Sequence, residues 1–259
     1  MSSSPQDPFF ADLVDEQIVL PSSGQSLRLP LRYQESSTFT AHFLAPTAAV
    51  QAALPSPRLG PHEVEPGHAL VSVTAFDHRR SDLGPYHELG VFIPATYQAG
   101  REHEALTGAY CLTLPVTTEE ARAAGSDVWG YPKYLADITI EESEIGCRCE
   151  VSVEGHAIVT LEVGGISVAE QPKRQELPML TVHGNALLHI LVVSEGRRGR
   201  RDDGEGTRLI LGDHPRAAIL RQLQLGPAVG QSRSLQAKAL LPAADRRVPL
   251  DAAPVERLK

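Results

Sequence analysis

The segment Gly125–Asp137 (GSDVWGYPKYLAD) concentrates the residue types best suited to chemistry. It contains the only tryptophan, Trp129, and places Lys133 between Tyr131 and Tyr134. Arginine supplies most cations of this chain, and its lysines are Lys133, Lys173, Lys238 and Lys259. Arginine keeps its proton in proteins, whereas a desolvated lysine can lose it and attack a carbonyl carbon. Two interpretations stay open: a nucleophilic Lys133, or a lysine whose stem passes Trp129 to reach water.

A second candidate lies upstream, where Tyr86–Gly90 (YHELG) opens a strand-like run that continues to Pro94. Its carboxylate belongs to Glu88. Such a group is either a satisfied residue at the rim of a sheet, or an acid/base group and counter-ion for a nearby amine. Taken alone, the pattern favours the rim residue.

Common catalytic and cofactor motifs are absent from the sequence. It has no GxGxxG, P-loop, HExxH or G-x-S-x-G pattern. Its ten histidines are scattered, without the short spacing typical of zinc ligands. Cys147 and Cys149 are two apart in a strand-like run and Cys111 lies in an apolar one, so we expect three buried, unreactive thiols. We expect neither a metal nor an organic cofactor.

Length and composition exclude several classes of protein. A chain of 259 residues with three cysteines is too long and too poor in cysteine for a disulfide scaffold. A net charge of -8 argues against a nucleic-acid surface, because phosphate binding needs clustered cations. No apolar run approaches the roughly 20 residues that cross a bilayer, and the first ten residues lack the pattern of a signal peptide. We therefore expect a cytoplasmic protein that binds neither nucleic acid nor membrane.

The elements that must position these residues are mostly predicted strands. Short runs rich in β-branched or aromatic residues and bounded by turn residues are Ala69–Phe76, Glu88–Pro94, Ala109–Pro115, Cys147–Glu154, Ala157–Val163, Ala186–Val193 and Leu235–Leu241. A hairpin turn is expected at Glu154–Gly155. Predicted helices are short: Thr47–Leu54, Thr117–Ala124 and Asp213–Leu223. This pattern predicts a mainly β (α+β) fold, a closed or nearly closed antiparallel barrel with a few short helices.

One domain accounts for most of the chain. Residues 1–25 are rich in Ser, Pro and acidic groups and predict a flexible, poorly packed N-terminal arm, while residues 26–259 contain no repeat or linker that would divide them. The segment Glu195–Gly206 joins a basic block to an acidic one. It is interpreted as a self-neutralising, solvated hairpin loop, with an anion or partner site as the alternative.

Together, these blocks resemble the acetoacetate decarboxylase superfamily from about Ser36 to Arg246. The landmarks, in order, are Tyr86-His87-Glu88, Tyr131-Pro132-Lys133, Thr207-Arg208-Leu209 with Asp213-His214, and Ser234 to Pro242. The resemblance implies a cone-shaped β-barrel around a largely apolar cavity, and an assembly of identical chains. It also implies that Lys133 forms a Schiff base and that Glu88 lines the same pocket.

Departures from the family pattern narrow the expected chemistry. Decarboxylases of this family carry a second lysine after the Schiff-base lysine, where this chain has Tyr134. An earlier acidic residue of the family falls near Ser72, and an N-terminal arginine falls near Ser36, with only Arg32 close by. This pattern resembles a divergent branch whose members use keto acids in aldol condensation and dehydration.

The resulting expectation is a cofactor-independent carbon–carbon lyase that acts on a keto acid through an iminium on Lys133, with an aldehyde as co-substrate in the aldol version. The expected catalytic residues are Lys133 and Glu88, and the expected substrate-binding residues are Tyr86, Trp129, Tyr131, Tyr134 and Ser72. Two alternatives remain: a decarboxylase of acetoacetate-type β-keto acids, and a non-catalytic binding or cyclase barrel.

Overall fold

Strands make up most of this protein, whose computed structural model describes residues 7–11, 13–98, 104–143 and 145–250. The strands of the first half are β1 (Glu16–Val19), β2 (Ser26–Leu29), β3 (Leu31–Pro46), β4 (Leu59–Pro61), β5 (Glu63–Glu65), β6 (His68–Ser81), β7 (Tyr86–Tyr97) and β8 (Leu106–Val116). Those that follow are β9 (Lys133–Leu135), β10 (Asp137–Ser143), β11 (Gly146–Val153), β12 (His156–Gly164), β13 (Lys173–His183), β14 (Ala186–Arg201), β15 (Arg208–Leu211), β16 (Ala228–Leu241) and β17 (Arg246–Pro249). The helices are α1 (Thr47–Ala53), α2 (Glu119–Trp129) and α3 (Ala218–Gln222), with 3₁₀ turns at Pro8–Phe10 and Pro215–Ala217.

The largest sheet closes into a ring. Its strands follow the order β4-β7-β6-β3-β16-β14-β13-β8-β9, and an additional pairing of β7 with β8 joins its two sides. The predicted mainly β class with few helices is confirmed. One feature of the prediction needs correction: β8 runs parallel to both β13 and β9, so the ring is not wholly antiparallel.

Alternation along β6 shows how the ring separates two environments. Ala69, Val71, Val73 and Ala75 are fully buried in a core that also includes residues of the second sheet, β10-β11-β12-β15. The intervening residues point to the opposite face, because successive side chains of a strand alternate. That face carries Phe76 and His78, which lie at the candidate site.

A second apolar core forms where helix α2 and the β1–β2 hairpin pack against the ring. It joins α2 to the β1–β2 hairpin and to aromatic residues of neighbouring strands, among them Tyr33, Tyr86, Trp129 and Tyr131. The aromatic segment singled out in the sequence is therefore an interior one.

Helix α2 differs from its prediction in a way that matters for the site. Its N-cap is Thr118, whose side chain accepts a hydrogen bond from the Ala121 backbone. The helix continues through Gly125, which we had expected to end it, and stops where Gly130 adopts a φ of 66°. Gly125 is thus an interior helical glycine, which requires a packing reason.

Other local predictions have mixed outcomes. The hairpin at Glu154–Gly155 and helix α1 are confirmed, while the predicted helix Asp213–Leu223 divides into a 3₁₀ turn and α3. In the charged segment Glu195–Gly206, the residues up to Arg201 belong to β14, and Arg201 pairs with Asp203 and Glu205 at its end. The charges of the segment therefore pair with one another, but the predicted hairpin loop is wrong, because this part of β14 pairs with β13 and β16 and not with β15.

An aromatic pair near the start of the predicted arm packs against the domain. Phe9 and Phe10 are buried beside Leu240, and Asp7 lies 2.6 Å from the amine of Lys238. Phe9 and Phe10 are therefore packed, whereas residues 14–25 are mostly exposed, apart from Ile18 and Leu20. The flexible arm over residues 1–25 stays a prediction. Within the described ranges, the helices are too short to cross a bilayer.

Candidate active site

The amine of Lys133 and the carboxylate of Glu88 meet in the interior. Lys133 Nζ lies 2.8 Å from Glu88 Oε2, and the two side chains are only 5% and 9% exposed. Strand β8 brings them together, because it pairs with β9 at Lys133 on one side and with β7 at Glu88 on the other. The two residues predicted to be catalytic therefore form a buried ion pair.

Gly125 makes room for the lysine stem. A Cβ atom at this position would lie 2.5 Å from both Cδ and Cε of Lys133. Glycine inside a helix costs about 1 kcal/mol relative to alanine. The chain accepts this cost where α2 and the Lys133 stem pass each other, which is the packing reason that an interior glycine requires.

The charge of Glu88 is set by opposing effects. Burial alone would raise the pKa of this carboxyl, but the Lys133 ammonium and a hydrogen bond from His78 lower it from its ordinary 4.5 to about 2. Glu88 is therefore an anion at neutral pH. An unpaired buried carboxylate would be costly, so the amine and the imidazole are what keep Glu88 ionised in the interior.

His78 extends this arrangement to the next strand. Its Nε2 atom lies 3.3 Å from Glu88 Oε1, and its Nδ1 atom lies 2.8 Å from the Ser36 hydroxyl on β3. The ring contacts those of Tyr33 and Tyr86, with centroid distances of 4.5 Å and 4.7 Å. Four side chains thus form a continuous polar series from Ser36 to Lys133.

Aromatic residues surround the amine. Lys133 Nζ lies 5.5 Å from the ring centre of Tyr86 and 6.0 Å from that of Tyr131, within the range of a cation–π attraction. The hydroxyls of Tyr33 and Tyr86 are 2.9 Å apart. Burial raises the pKa of all three tyrosines, so they remain neutral phenols that can donate hydrogen bonds.

Three residues predicted to bind substrate have their contacts elsewhere. Trp129 packs against Tyr131 and donates from its indole nitrogen to the Pro242 carbonyl at 2.7 Å. It therefore supports Tyr131, which lies beside the amine of Lys133. Tyr134 follows Lys133 in β9 and therefore points to the opposite face, where Arg216 lies 3.8 Å from its ring centre. These contacts correct the expectation that Tyr134 lines the site.

Ser72 is the third of these residues. It occupies the same face of β6 as His78 but lies six residues, or about 20 Å, nearer the start of the strand. Its hydroxyl is 2.9 Å from Nδ1 of His42. The Ser72 side chain therefore contacts His42 and not the pair of Lys133 and Glu88.

Sequence reasoning missed His78, Tyr33 and Ser36. The predicted strand ended at Phe76, before the polar residues DHRRS. The strand continues to Ser81, and its alternation carries on to His78. Strand β3 was not predicted at all, although Phe39, Ala41 and Phe43 alternate with polar residues in the pattern of a half-buried strand.

A cavity of about 410 Å³ opens beside Lys133 and the C-terminal end of α2. It is lined by Ser126, Gly130, Tyr131, Pro132, Lys133, Val182, His183 and Gly184. The residues at the C-terminal end of α2 and at the β13–β14 turn thus border a route towards Lys133.

The donor set offers little to a metal ion. In the part of the chain that the structure describes, no three His, Cys, Asp or Glu side chains are grouped to hold one. Cys111, Cys147 and Cys149 are free and buried, as the sequence predicted. Burial raises the pKa of Cys147 to about 12, so this thiol stays protonated.

Comparisons with known proteins agree with this geometry. The family model described as acetoacetate decarboxylase matches residues 19–199, which is more than half of the chain. None of the curated proteins matches the sequence. A solved acetoacetate decarboxylase is 21% identical with a TM-score of 0.64, covering 90% of this chain and 96% of its own.

Two further solved structures share the fold. The acetoacetate decarboxylase of Legionella pneumophila is 19% identical, with a TM-score of 0.60 and coverage of 83% and 86% of the two chains. The enduracididine biosynthesis enzyme MppR, complexed with pyruvate, is 16% identical, with a TM-score of 0.63 and coverage of 93% and 99%. Because the family model spans most of the chain, the protein belongs to the acetoacetate decarboxylase family.

Proposed function

We propose that the protein is a lyase that forms a Schiff base between Lys133 and a keto acid and catalyses aldol condensation followed by dehydration. The observation that carries this proposal is the buried amine of Lys133, held 2.8 Å from a carboxylate among neutral aromatic side chains. A buried lysine without a chemical task is expensive, which favours catalysis over a purely structural ion pair.

The first step requires the neutral amine. Glu88 Oε2 is in direct contact with Lys133 Nζ and can accept its proton. The amine then attacks the keto carbon, and the carbinolamine hydroxyl leaves as water after receiving a proton, for which the Glu88 carboxyl is the nearest donor. Net charge is conserved, because an ammonium becomes an iminium beside the same carboxylate.

The iminium then acts as an electron sink. For pyruvate, loss of a methyl proton gives an enamine, with Glu88 as the acceptor within reach of Lys133. The enamine carbon attacks an aldehyde carbon, and the resulting alkoxide takes up a proton. Loss of water forms the carbon–carbon double bond, and hydrolysis of the iminium releases an unsaturated keto acid and returns Lys133.

The structural relatives support the choice of a keto acid and an aldehyde. One solved form of MppR is bound to pyruvate, and another is bound to the condensation product of pyruvate and imidazole 4-carboxaldehyde. The second form is 14% identical to this chain with a TM-score of 0.60.

Tyr86 and Tyr131 would provide the dry walls of the site and a phenol donor. Homo-oligomeric assembly, a cytoplasmic location and independence from cofactors are further parts of this proposal.

The test supplies pyruvate with an aromatic aldehyde and follows the absorbance of a conjugated product, with acetoacetate decarboxylation measured in parallel. We expect condensation in the native chain, none in Lys133→Arg, and normal turnover in the matched control Lys238→Arg. Carbon dioxide release without condensation would replace the proposal by a decarboxylase. Equal activity of Lys133→Arg and the native chain would remove Lys133 from the chemistry.

A further inference from the structure

Two His–Ser pairs bridge strands β3 and β6 on the same face of the ring. His78 pairs with Ser36 at 2.8 Å, and His42 pairs with Ser72 at 2.9 Å. Both join cross-strand neighbours, so their local geometry is closely matched. They differ in the second ring nitrogen, which faces Glu88 in His78 and the Ser232 hydroxyl in His42.

We infer that His78 is a positioning residue, which fixes Glu88 so that one carboxylate oxygen faces the Lys133 amine. Ionised Glu88 can only accept a hydrogen bond, so the Nε2 atom of His78 is the donor to it, while Nδ1 pairs with the Ser36 hydroxyl. Nε2 then donates to Glu88 Oε1 and leaves Oε2 for Lys133. The catalytic meaning of this role rests on the proposed function.

The surroundings hold the imidazole in this orientation. His78 is 7% exposed, and its ring packs against those of Tyr33 and Tyr86. Phe76 stacks against it at 5.6 Å between ring centres. With both nitrogens paired and the ring covered by aromatic neighbours, His78 has little freedom to turn away from Glu88.

Apart from Lys133 and His78, the titratable groups around Glu88 stay neutral. The carboxylate charge acts on Tyr33, Tyr86, Tyr131 and Cys111, and burial raises the pKa of each of them. Among the described residues, the side-chain hydrogen bonds of Glu88 go to Lys133 and His78. Once the lysine has become an iminium, His78 is the remaining group that orients this carboxylate.

The test compares His78→Phe with His78→Gln and with the matched control His42→Phe. His78→Phe keeps a flat ring but removes the donor, whereas His78→Gln restores an N–H near the position of Nε2. The first readout is the titration of the Glu88 carboxyl, followed by carbon NMR of the labelled side chain. It needs no substrate, so it judges this inference independently of the proposed function.

We expect the pKa of Glu88 to rise by roughly one pH unit in His78→Phe, because a hydrogen bond to the charged form is lost. It should return most of the way in His78→Gln and stay unchanged in His42→Phe. A Glu88 titration in His78→Phe that matches the native chain would overturn the inference, as would an equal rise in His42→Phe.

The second readout is the rate at which pyruvate and cyanoborohydride label the chain. Since His78 acts through Glu88, His78→Phe should lower the maximal labelling rate about 10²-fold with little change in the pyruvate concentration for half-maximal rate. Recovery in His78→Gln distinguishes positioning from mere packing. If the native chain is not labelled at all, the proposed function fails, whereas the Glu88 titration still decides the role of His78.

Discussion

Gly125 lies directly against the stem of Lys133, and a Cβ atom there would come within 2.5 Å of Cδ and Cε. Helix α2 thus carries its interior glycine where the lysine passes on its way to Glu88. The sequence spacing of eight residues between them gives no hint of this contact, because a turn of the chain at Gly130 separates the helix from β9.

Replacement of this glycine tests the contact. Gly125→Ala improves helix propensity by about 1 kcal/mol but should displace Lys133 and slow its labelling by pyruvate and borohydride at least about tenfold. Gly60→Ala is the control, because a Cβ there meets nothing within 4 Å. Unchanged labelling in Gly125→Ala would show that the lysine does not need this space.

The ion pair makes a prediction for stability. Lys133→Met leaves Glu88 buried without its cation and should lower the free energy of unfolding by about 3 kcal/mol at neutral pH. Adding Glu88→Gln should recover much of this loss, since no buried charge then remains. Denaturant unfolding of the two single variants and the double variant measures the coupling. Additive effects would contradict a direct pair.

Lys238→Met is the matched control for this cycle. Its amine also pairs with a carboxylate, that of Asp7 at 2.6 Å, but its side chain is 29% exposed. An ion pair in contact with water contributes little, so we expect a loss of no more than about 1 kcal/mol.

The pKa of Glu88 also predicts how stability depends on pH. The value falls from an ordinary 4.5 to about 2 on folding, so Glu88 stabilises the fold above pH 4.5 and this contribution is lost as the pH falls towards 2. Glu88→Gln has no such group to protonate. Its free energy of unfolding should therefore decline less than that of the native chain between pH 4.5 and 2, as measured by denaturant titrations. Parallel declines would contradict a depressed pKa.

Trp129 is expected to act through stability rather than chemistry. Trp129→Phe removes the hydrogen bond to the partly buried Pro242 carbonyl, which should cost about 1 kcal/mol. Labelling of Lys133 should continue at a similar rate, since the ring contact of Trp129 is with Tyr131. Loss of labelling in a fully stable variant would place the indole in contact with substrate.

Local patterns predicted much of the scaffold and the two central residues. The strand-like runs around Val71, Val91 and Leu112 are found in β6, β7 and β8, because their β-branched and aromatic residues fill the buried core. Lys133 and Glu88 were identified by residue type and by family resemblance. Neither signal states that the two side chains touch, since β8 brings them together across 45 positions of the chain.

The remainder of the site depends on long-range pairing. His78 and Ser36 are cross-strand neighbours on β6 and β3, 42 positions apart in the chain, so no local pattern pairs them. Tyr134 was wrongly expected to line the site because it stands next to Lys133 in sequence. Strand geometry turns adjacent side chains to opposite faces. Only the register of β3, β6 and β7 shows which polar groups reach Glu88.

Reductive trapping tests the central claim most directly. The native chain, incubated with pyruvate and borohydride and then digested, should carry one label per chain, on the peptide that contains Lys133. Lys133→Arg should abolish the label while its unfolding stays cooperative. Labels spread over Lys173 and Lys238 as well, or no label with any of a broad panel of keto acids, would contradict a Schiff base at Lys133 and favour a binding protein.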